Sequence, residues 1–190
     1  MAFRRAKERV AFVDGFAFPV GVRRRIAASR PGLTEAQLTL VEAAARQWFR
    51  LFARHPRGAR SVPSVLVTDW WREFVRHERE YAEFTAAAAG RPLPFAEVSG
   101  ALAVTYRQAR ADEPAGLPLL FRVDGEAGVP DARRYLADCG GRGQCWPVPG
   151  ATCLQHLDGA GTAPGSRGRF RPPPPPPEWT SSAGGDPGGF

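Results

Sequence analysis

The sequence has few cysteines, few histidines and no long apolar run. Its 190 residues contain three cysteines and three histidines. An odd number of cysteines provides no disulfide framework of the kind that stabilises small secreted domains. No run reaches the length of about 18 apolar residues that indicates a membrane span. Arg9 and Asp14 interrupt the segment after the basic start, which excludes the apolar core of a secretory signal. We therefore expect a cytoplasmic protein without a membrane span.

Lysine is nearly absent, and positive charge is concentrated at one end of the chain. Only Lys7 is a lysine among 26 basic residues, and the net charge is +7. Residues 1–30 hold eight basic residues against two acidic ones. Nonspecific binding of nucleic acid through Arg23, Arg24 and Arg25 is therefore one hypothesis. No helix-turn-helix, zinc-finger or RNA-binding signature accompanies these arginines, and arginine is common throughout the chain.

The composition divides the chain into three regions. We predict a flexible basic N-terminus over residues 1–9, a helical domain over residues 10–156 and a disordered tail over residues 157–190. Within the domain, residues 10–22 contain two glycines and a proline, which favours an extended segment packed on a core. The Gly/Pro-rich tail has few large apolar groups to offset the entropy of ordering, and its hexaproline at residues 172–177 favours polyproline II.

Two amphipathic patterns predict a mainly α fold. Thr34 and Gln37 have the spacing of a capping box, and apolar residues follow at steps of three and four until His55. The second pattern begins at Pro63 and ends in the alanines at residues 86–89. Two long helices joined by a short turn predict an antiparallel pair. The expected architecture is a small helical domain built on this pair plus shorter helices.

Shorter patterns predict the other elements. A basic helix is expected over residues 20–29, a third core helix over residues 95–111, and one more short helix over residues 130–137. The apolar residues 117–123 fit either a short strand or a buried turn of helix, because periodicity does not separate the two over so short a run.

Residues 18–156 carry, in order, several passages that resemble a family of bacterial proteins labelled glycine-rich domain-containing protein-like. The resembling passages are Phe18-Pro19-Val20 with Arg23 and Arg25, residues 41–50, residues 62–74, Tyr81-Ala82-Glu83-Phe84, residues 117–121, and Asp138-Cys139. The resemblance implies a helical fold over this part of the chain. It brings no catalytic residues with it.

Four residues near the end of the domain have the grouping of a metal site. Cys139, Cys145, Cys153 and His156 would supply three thiolates and an imidazole for a tetrahedral zinc ion, with Cys153 and His156 as a chelating half. Five residues separate Cys139 from Cys145, more than the roughly two to four typical of zinc knuckles. The alternative is a set of reduced cysteines in a glycine-rich loop.

The remaining patterns favour binding over catalysis. Trp70 and Trp71 are adjacent on a predicted helix and cannot point in the same direction, so one of them is expected at the margin of the core or at a partner surface. Asp69 and Glu73 each have an arginine three or four residues away, which is typical of a solvated face held by ion pairs. The sequence thus predicts a soluble helical interaction module with an unidentified protein partner. A zinc-binding protein or metalloenzyme is the first alternative, and a nucleic-acid binder is the second.

Overall fold

Seven helices and one pair of short strands make up the part of the chain that the structure describes. The computed structural model describes residues 2–93, 95, 101–136 and 151–154, with the backbone alone at residues 2 and 3. The elements in chain order are α1 (Ala2–Gly15), α2 (Val20–Ser29), α3 (Glu35–Arg54), α4 (Val65–Val75), α5 (Glu78–Ala89), α6 (Leu102–Arg110), α7 (Leu119–Glu126), β1 (Arg134–Leu136) and β2 (Ala151–Cys153). The mainly α prediction is confirmed, and α2 has the predicted range.

The longest of these helices, α3, lies at the centre of the core. The predicted capping box begins it: the Thr34 hydroxyl accepts from the Gln37 amide N–H at 3.2 Å, and Gln37 Oε1 accepts from the Thr34 N–H at 2.8 Å. All six other helices contact α3, so its side chains are buried on several sides. Trp48 and Leu51 are fully buried. Burial of such a side chain stabilises the fold by about 2 kcal/mol.

The predicted second long helix is two helices, which corrects the sequence interpretation. Arg76 and His77 interrupt it between α4 and α5, where their N–H groups bond to carbonyls only three residues back. Phe74 and Tyr81 meet across the break, with ring centroids 5.1 Å apart. Neither glycine nor proline marks the break, so only packing reveals it. The antiparallel direction of the predicted pair stays a prediction.

The N-terminal segment is helical from Ala2, and the prediction of an extended segment over residues 10–22 is wrong, whereas the flexibility predicted for residues 1–9 stays a prediction. The helix α1 runs through both, and only residues 16–19 separate it from α2. Arg46 on α3 donates to the last carbonyl groups of α1, at 2.7 Å to Val13 and 3.1 Å to Asp14. These bonds satisfy groups that a helix end leaves unpaired. The helix is therefore stabilised by a tertiary contact that local sequence does not show.

The later elements settle two sequence predictions. Residues 117–123 mostly enter α7 and are helical from Leu119. The helix predicted over residues 130–137 is wrong, because residues 134–136 form β1, which pairs in parallel with β2. Their register places Leu136 opposite Cys153, and Leu154 N–H donates to the Leu136 carbonyl at 2.9 Å. A strand whose partner lies so far along the chain has no local periodic signal.

Parts of the predictions fall on residues outside the described ranges. These are the tail over residues 157–190 with its hexaproline, and residues 96–100 of the predicted third helix. Phe95 and Ala101 are described but are not helical, and the helix observed in this region is α6. In the ranges that are described, no helix combines the length and apolarity needed to cross a membrane.

Candidate binding surface

Asp69 on α4 and Arg30 at the end of α2 form the centre of an ion-pair network. Its Oδ2 accepts from Arg30 at 2.9 Å, and its Oδ1 accepts from Arg72 at 2.8 Å. Arg30 also donates to Asp131 at 3.2 Å. The hydrogen bond to Asp69 is the main cause that raises the pKa of Arg30, and the bond from Arg30 lowers the pKa of Asp131. The C-terminal end of α2 is thereby tied to α4 and to the chain after α7.

One helical turn further along α4, Glu73 also lies beside two arginines, which are more exposed to solvent than Arg30. Arg76 lies 3.2 Å from Glu73 Oε1, and Arg25 of α2 lies 3.8 Å from Oε2. The Glu73 side chain is 16% exposed, whereas those of Arg25 and Arg76 are 69% and 59% exposed. The carboxylate is thus largely covered, while the guanidinium groups around it face solvent.

Arg24 adds a further positive charge to this surface. It is exposed, and no carboxylate among the described residues lies within ion-pair distance of it. Together with Arg25, Ala28, Ser29 and Glu73, it lines a depression of about 400 Å³ between α2 and α4. We call the exposed arginines Arg24, Arg25, Arg72 and Arg76 the α2–α4 basic face.

A second depression lies at the end of α2. It has a volume of about 200 Å³ and is lined by residues 29–33 and 127–130. Ser29 lines both depressions. Its hydroxyl donates to the Ile26 carbonyl at 3.1 Å, which orients it along the helix. The two hollows therefore adjoin each other along the exposed side of α2.

The three arginines predicted as one surface are divided between two sides of α2. Arg23 turns towards α3, where its NH2 group donates to Glu35 Oε2 at 2.8 Å and to Thr39 Oγ1 at 3.0 Å. Its other nitrogen lies 3.4 Å from Glu42. Arg23 is therefore part of the α2–α3 contact, and its role as an interaction residue stays a prediction. Arg24 and Arg25 remain available on the α2–α4 basic face.

Trp70 and Trp71, predicted as interaction residues, both lie in the core of the fold. Trp70 is fully buried and Trp71 is 3% exposed. Their side chains point in different directions, but α4 contacts α2, α3, α5 and α7, so both directions lead into the core. The Trp71 indole donates to the Tyr81 hydroxyl at 2.8 Å. The polar end of this side chain is thus satisfied inside the fold.

The match to a protein family covers the residues that form this core and this surface. A family model described as UCP032817-like matches residues 8–156. The chain belongs to the UCP032817-like family. No curated protein matches the chain, and no solved structure matches it either. The resemblance to a glycine-rich domain-containing family is therefore corrected: its passages consist largely of core-type residues, which unrelated helical families share.

The predicted zinc ligands of this UCP032817-like chain fall mainly outside the described residues. Cys139, Cys145 and His156 lie there, and Cys153 is half-buried on β2. Within the described ranges, no group of three or more histidine, cysteine, aspartate or glutamate side chains is placed to hold a metal ion. The zinc hypothesis stays a prediction.

Three buried or partly buried polar side chains of the family member satisfy N–H groups at the starts of helices. Gln47 Oε1 accepts from the Leu120 N–H at 2.7 Å, and Glu113 Oε2 accepts from the Leu119 N–H at 2.5 Å, which closes the start of α7. The Asp124 carboxylate accepts from the Val65 and Leu66 N–H groups at the start of α4. Sequence patterns did not reveal these roles, because Gln47 and Asp124 are remote in the chain from the helix starts that they satisfy, and Glu113 lies six residues before Leu119, outside the spacing of a capping box.

Proposed function

We propose that this UCP032817-like protein is a binding module whose α2–α4 basic face binds an acidic segment of a partner protein. The depression lined by Arg24, Arg25 and Glu73 carries this proposal. Guanidinium groups bind carboxylates through paired, charge-assisted hydrogen bonds. Arg24 has no ion-pair partner among the described residues, so it can bind an incoming carboxylate without first losing an internal one.

The arrangement of charge favours a polypeptide over a nucleic acid. Glu73 lies among the arginines of the basic face, and Asp69 lies one turn away on the same helix. A continuous phosphate backbone would be repelled by these carboxylates, whereas an acidic peptide can place its carboxylates beside the arginines alone. Arg23 is paired with Glu35 and Glu42 in the α2–α3 contact, so the basic face has one positive charge fewer with which to bind a phosphate backbone.

A charge reversal at Arg24 tests the proposal. The probe is fluorescein-labelled polyglutamate, and binding is measured by fluorescence anisotropy at low and high salt. Arg24→Glu should weaken binding by about tenfold or more at low salt, and the affinity of the unaltered protein should fall as salt rises. Arg57→Glu is the matched control, because Arg57 is also exposed but lies past the opposite end of α3.

Equal losses from Arg24→Glu and Arg57→Glu would contradict the proposal, since they would show an effect of net charge alone. Tighter binding of a DNA duplex than of polyglutamate, also dependent on Arg24, would instead support the nucleic-acid alternative.

A zinc site remains a second candidate, and the register of the strands favours it. Leu136 and Cys153 are paired on parallel strands. In the sequence, Cys139 follows Leu136 by three residues, and His156 follows Cys153 by three residues. Elemental analysis of the purified protein tests the site. Stoichiometric zinc that is lost in Cys153→Ser would support it, and protein free of metal after expression with added zinc would overturn it.

A further inference from the structure

The two depressions along α2 differ in chemistry, although Ser29 lines both. The first contains the exposed guanidinium groups of Arg24 and Arg25. Among the described residues that line the second, only Arg30 is charged, and its guanidinium is already paired with Asp69 and Asp131. One end of the surface therefore offers positive charge, whereas the other offers little net charge.

The second depression is lined mainly by apolar side chains and glycine. Its lining residues besides Ser29 and Arg30 are Pro31, Gly32, Leu33, Ala127, Gly128, Val129 and Pro130. Such a hollow accommodates an apolar side chain, whose transfer from water contributes about 25 cal/mol for each Å² that is buried. A ligand that used both hollows would thus have acidic groups next to apolar groups.

The walls of the second depression are held in place before any ligand binds. Gln37 of α3 donates to the Ala127 carbonyl at 3.2 Å, and the Val129 N–H bonds to the Asp124 carbonyl at 3.0 Å. Arg30 links the same segment to α2 through Asp131. A preformed hollow reduces the ordering cost of binding.

We propose that the surface from Arg24 across Ser29 to Pro130 is a docking groove for one extended peptide segment in which acidic residues adjoin apolar residues. The carboxylates of the segment bind the Arg24 and Arg25 guanidinium groups. The peptide then crosses Ser29 and places an apolar side chain between residues 31–33 and residues 127–130. This inference rests on the proposed function, because it names the second half of the partner segment that the basic face binds.

Two labelled peptides of equal charge test the groove by fluorescence anisotropy. One peptide joins a run of glutamates to leucine and proline, and the other joins the same run to glycine and serine; both are also made in the reverse order. The apolar peptide should bind about tenfold more tightly in one of the orders. Ser29→Tyr, which fills the junction of the hollows, should remove this advantage while the glycine–serine peptide still binds.

Ala87→Tyr is the matched control, because it places the same ring on an exposed position of α5. Ser29 and Ala87 are both exposed, so circular dichroism should show both variants folded. Retention of the tenfold advantage in Ala87→Tyr and its loss in Ser29→Tyr would support the groove.

The other outcomes separate this inference from the proposed function. Equal affinity for the two peptides, with dependence on Arg24, would overturn the groove but leave the proposed function intact. An apolar advantage that persists in Ser29→Tyr would also overturn it, since the apolar contact would lie elsewhere. Binding of neither peptide would overturn both, and preference for a DNA duplex would replace the peptide with a nucleic acid.

Discussion

The Ser64 hydroxyl donates a hydrogen bond to Asp124 Oδ1 at 2.5 Å, although the two residues are separated by 60 positions in the chain. The same carboxylate accepts from the Val65 N–H at 2.7 Å and from the Leu66 N–H at 3.2 Å. Ser64 also caps α4 by accepting from the Val67 N–H at 3.0 Å. A carboxylate of α7 therefore closes the positive end of α4, the helix that carries Arg72 of the basic face.

Asp124→Ala should lower the free energy of unfolding by about 3 kcal/mol. The substitution leaves the Ser64 hydroxyl and two amide N–H groups without their buried acceptor, and it removes a negative charge from the helix start. Urea denaturation followed by tryptophan fluorescence measures the loss. Asp131→Asn, an exposed carboxylate, is the control and should cost much less. Equal losses from the two substitutions would show that the buried network contributes little.

The buried hydroxyl of Tyr81 should make the free energy of unfolding fall at alkaline pH. Burial raises the pKa of its hydroxyl from 10.0 to about 12, while the hydroxyl donates to the Leu93 carbonyl at 2.5 Å. Between these two pH values the unfolded chain releases the proton and the folded chain retains it, so stability falls as the pH rises. The expected loss is on the order of 2 to 3 kcal/mol, from about 1.4 kcal/mol per pKa unit.

Denaturation at several pH values, with Tyr81→Phe alongside, measures this contribution. Tyr81→Phe should be less stable at neutral pH, because the Trp71 indole loses its acceptor, but its stability should fall less steeply in alkali. Identical slopes for the two proteins would contradict the assignment.

Arg60 is a buried cation whose hydrogen-bond partners among the described residues are all uncharged, and we expect it to stabilise the turn after α3. It is 3% exposed, donates to Gln108 Oε1 at 2.7 Å and to the carbonyl groups of His55 and Gly58, and lies 4.6 Å from the centroid of the Phe52 ring. Burial, followed by repulsion from Arg91, lowers its pKa to about 10.

Arg60→Lys should lower the free energy of unfolding by about 2 kcal/mol despite the retained charge, because an ammonium group cannot reproduce the planar set of bonds. Thermal or urea denaturation measures the change, with the exposed Arg57→Lys as the control. A loss below about 0.5 kcal/mol would place Arg60 among ordinary surface residues.

Gly21 and His77 define the contact between α2 and the α4–α5 break. A Cβ atom at Gly21 would lie 2.8 Å from His77 Cε1 and 3.0 Å from Nε2. Alanine for glycine within a helix is otherwise favourable by about 1 kcal/mol. Gly21→Ala should therefore stabilise the His77→Ala variant more than it stabilises the unaltered protein.

A double-mutant cycle by urea denaturation measures this difference, which we expect to be about 1 kcal/mol. Gly15→Ala, which meets nothing within 4 Å, is the control and should show no coupling to His77. Additive effects of the Gly21 and His77 substitutions would show that the ring moves aside at no cost.

The sequence alone located the residues of the candidate groove that lie close together on a single helix. Arg24 and Arg25 follow from the basic pattern of α2, and the pairing of Asp69 with Arg72 follows from their spacing on one helix. The position of Ser29 between two hollows could not be inferred, because the walls come from α4 and from the chain after α7. Those elements meet α2 only in the folded chain.

By itself, the sequence determined the helices whose signals are local. The capping box of Thr34 and Gln37, the apolar stripe behind it and the range of α2 depend on residues a few positions apart, where periodicity and capping act. Tertiary structure decided the helical N-terminus, the break at His77, the strand pair and the burial of both Trp70 and Trp71. Each depends on partners distant in the chain, whose hydrogen bonds and apolar contacts override local propensity.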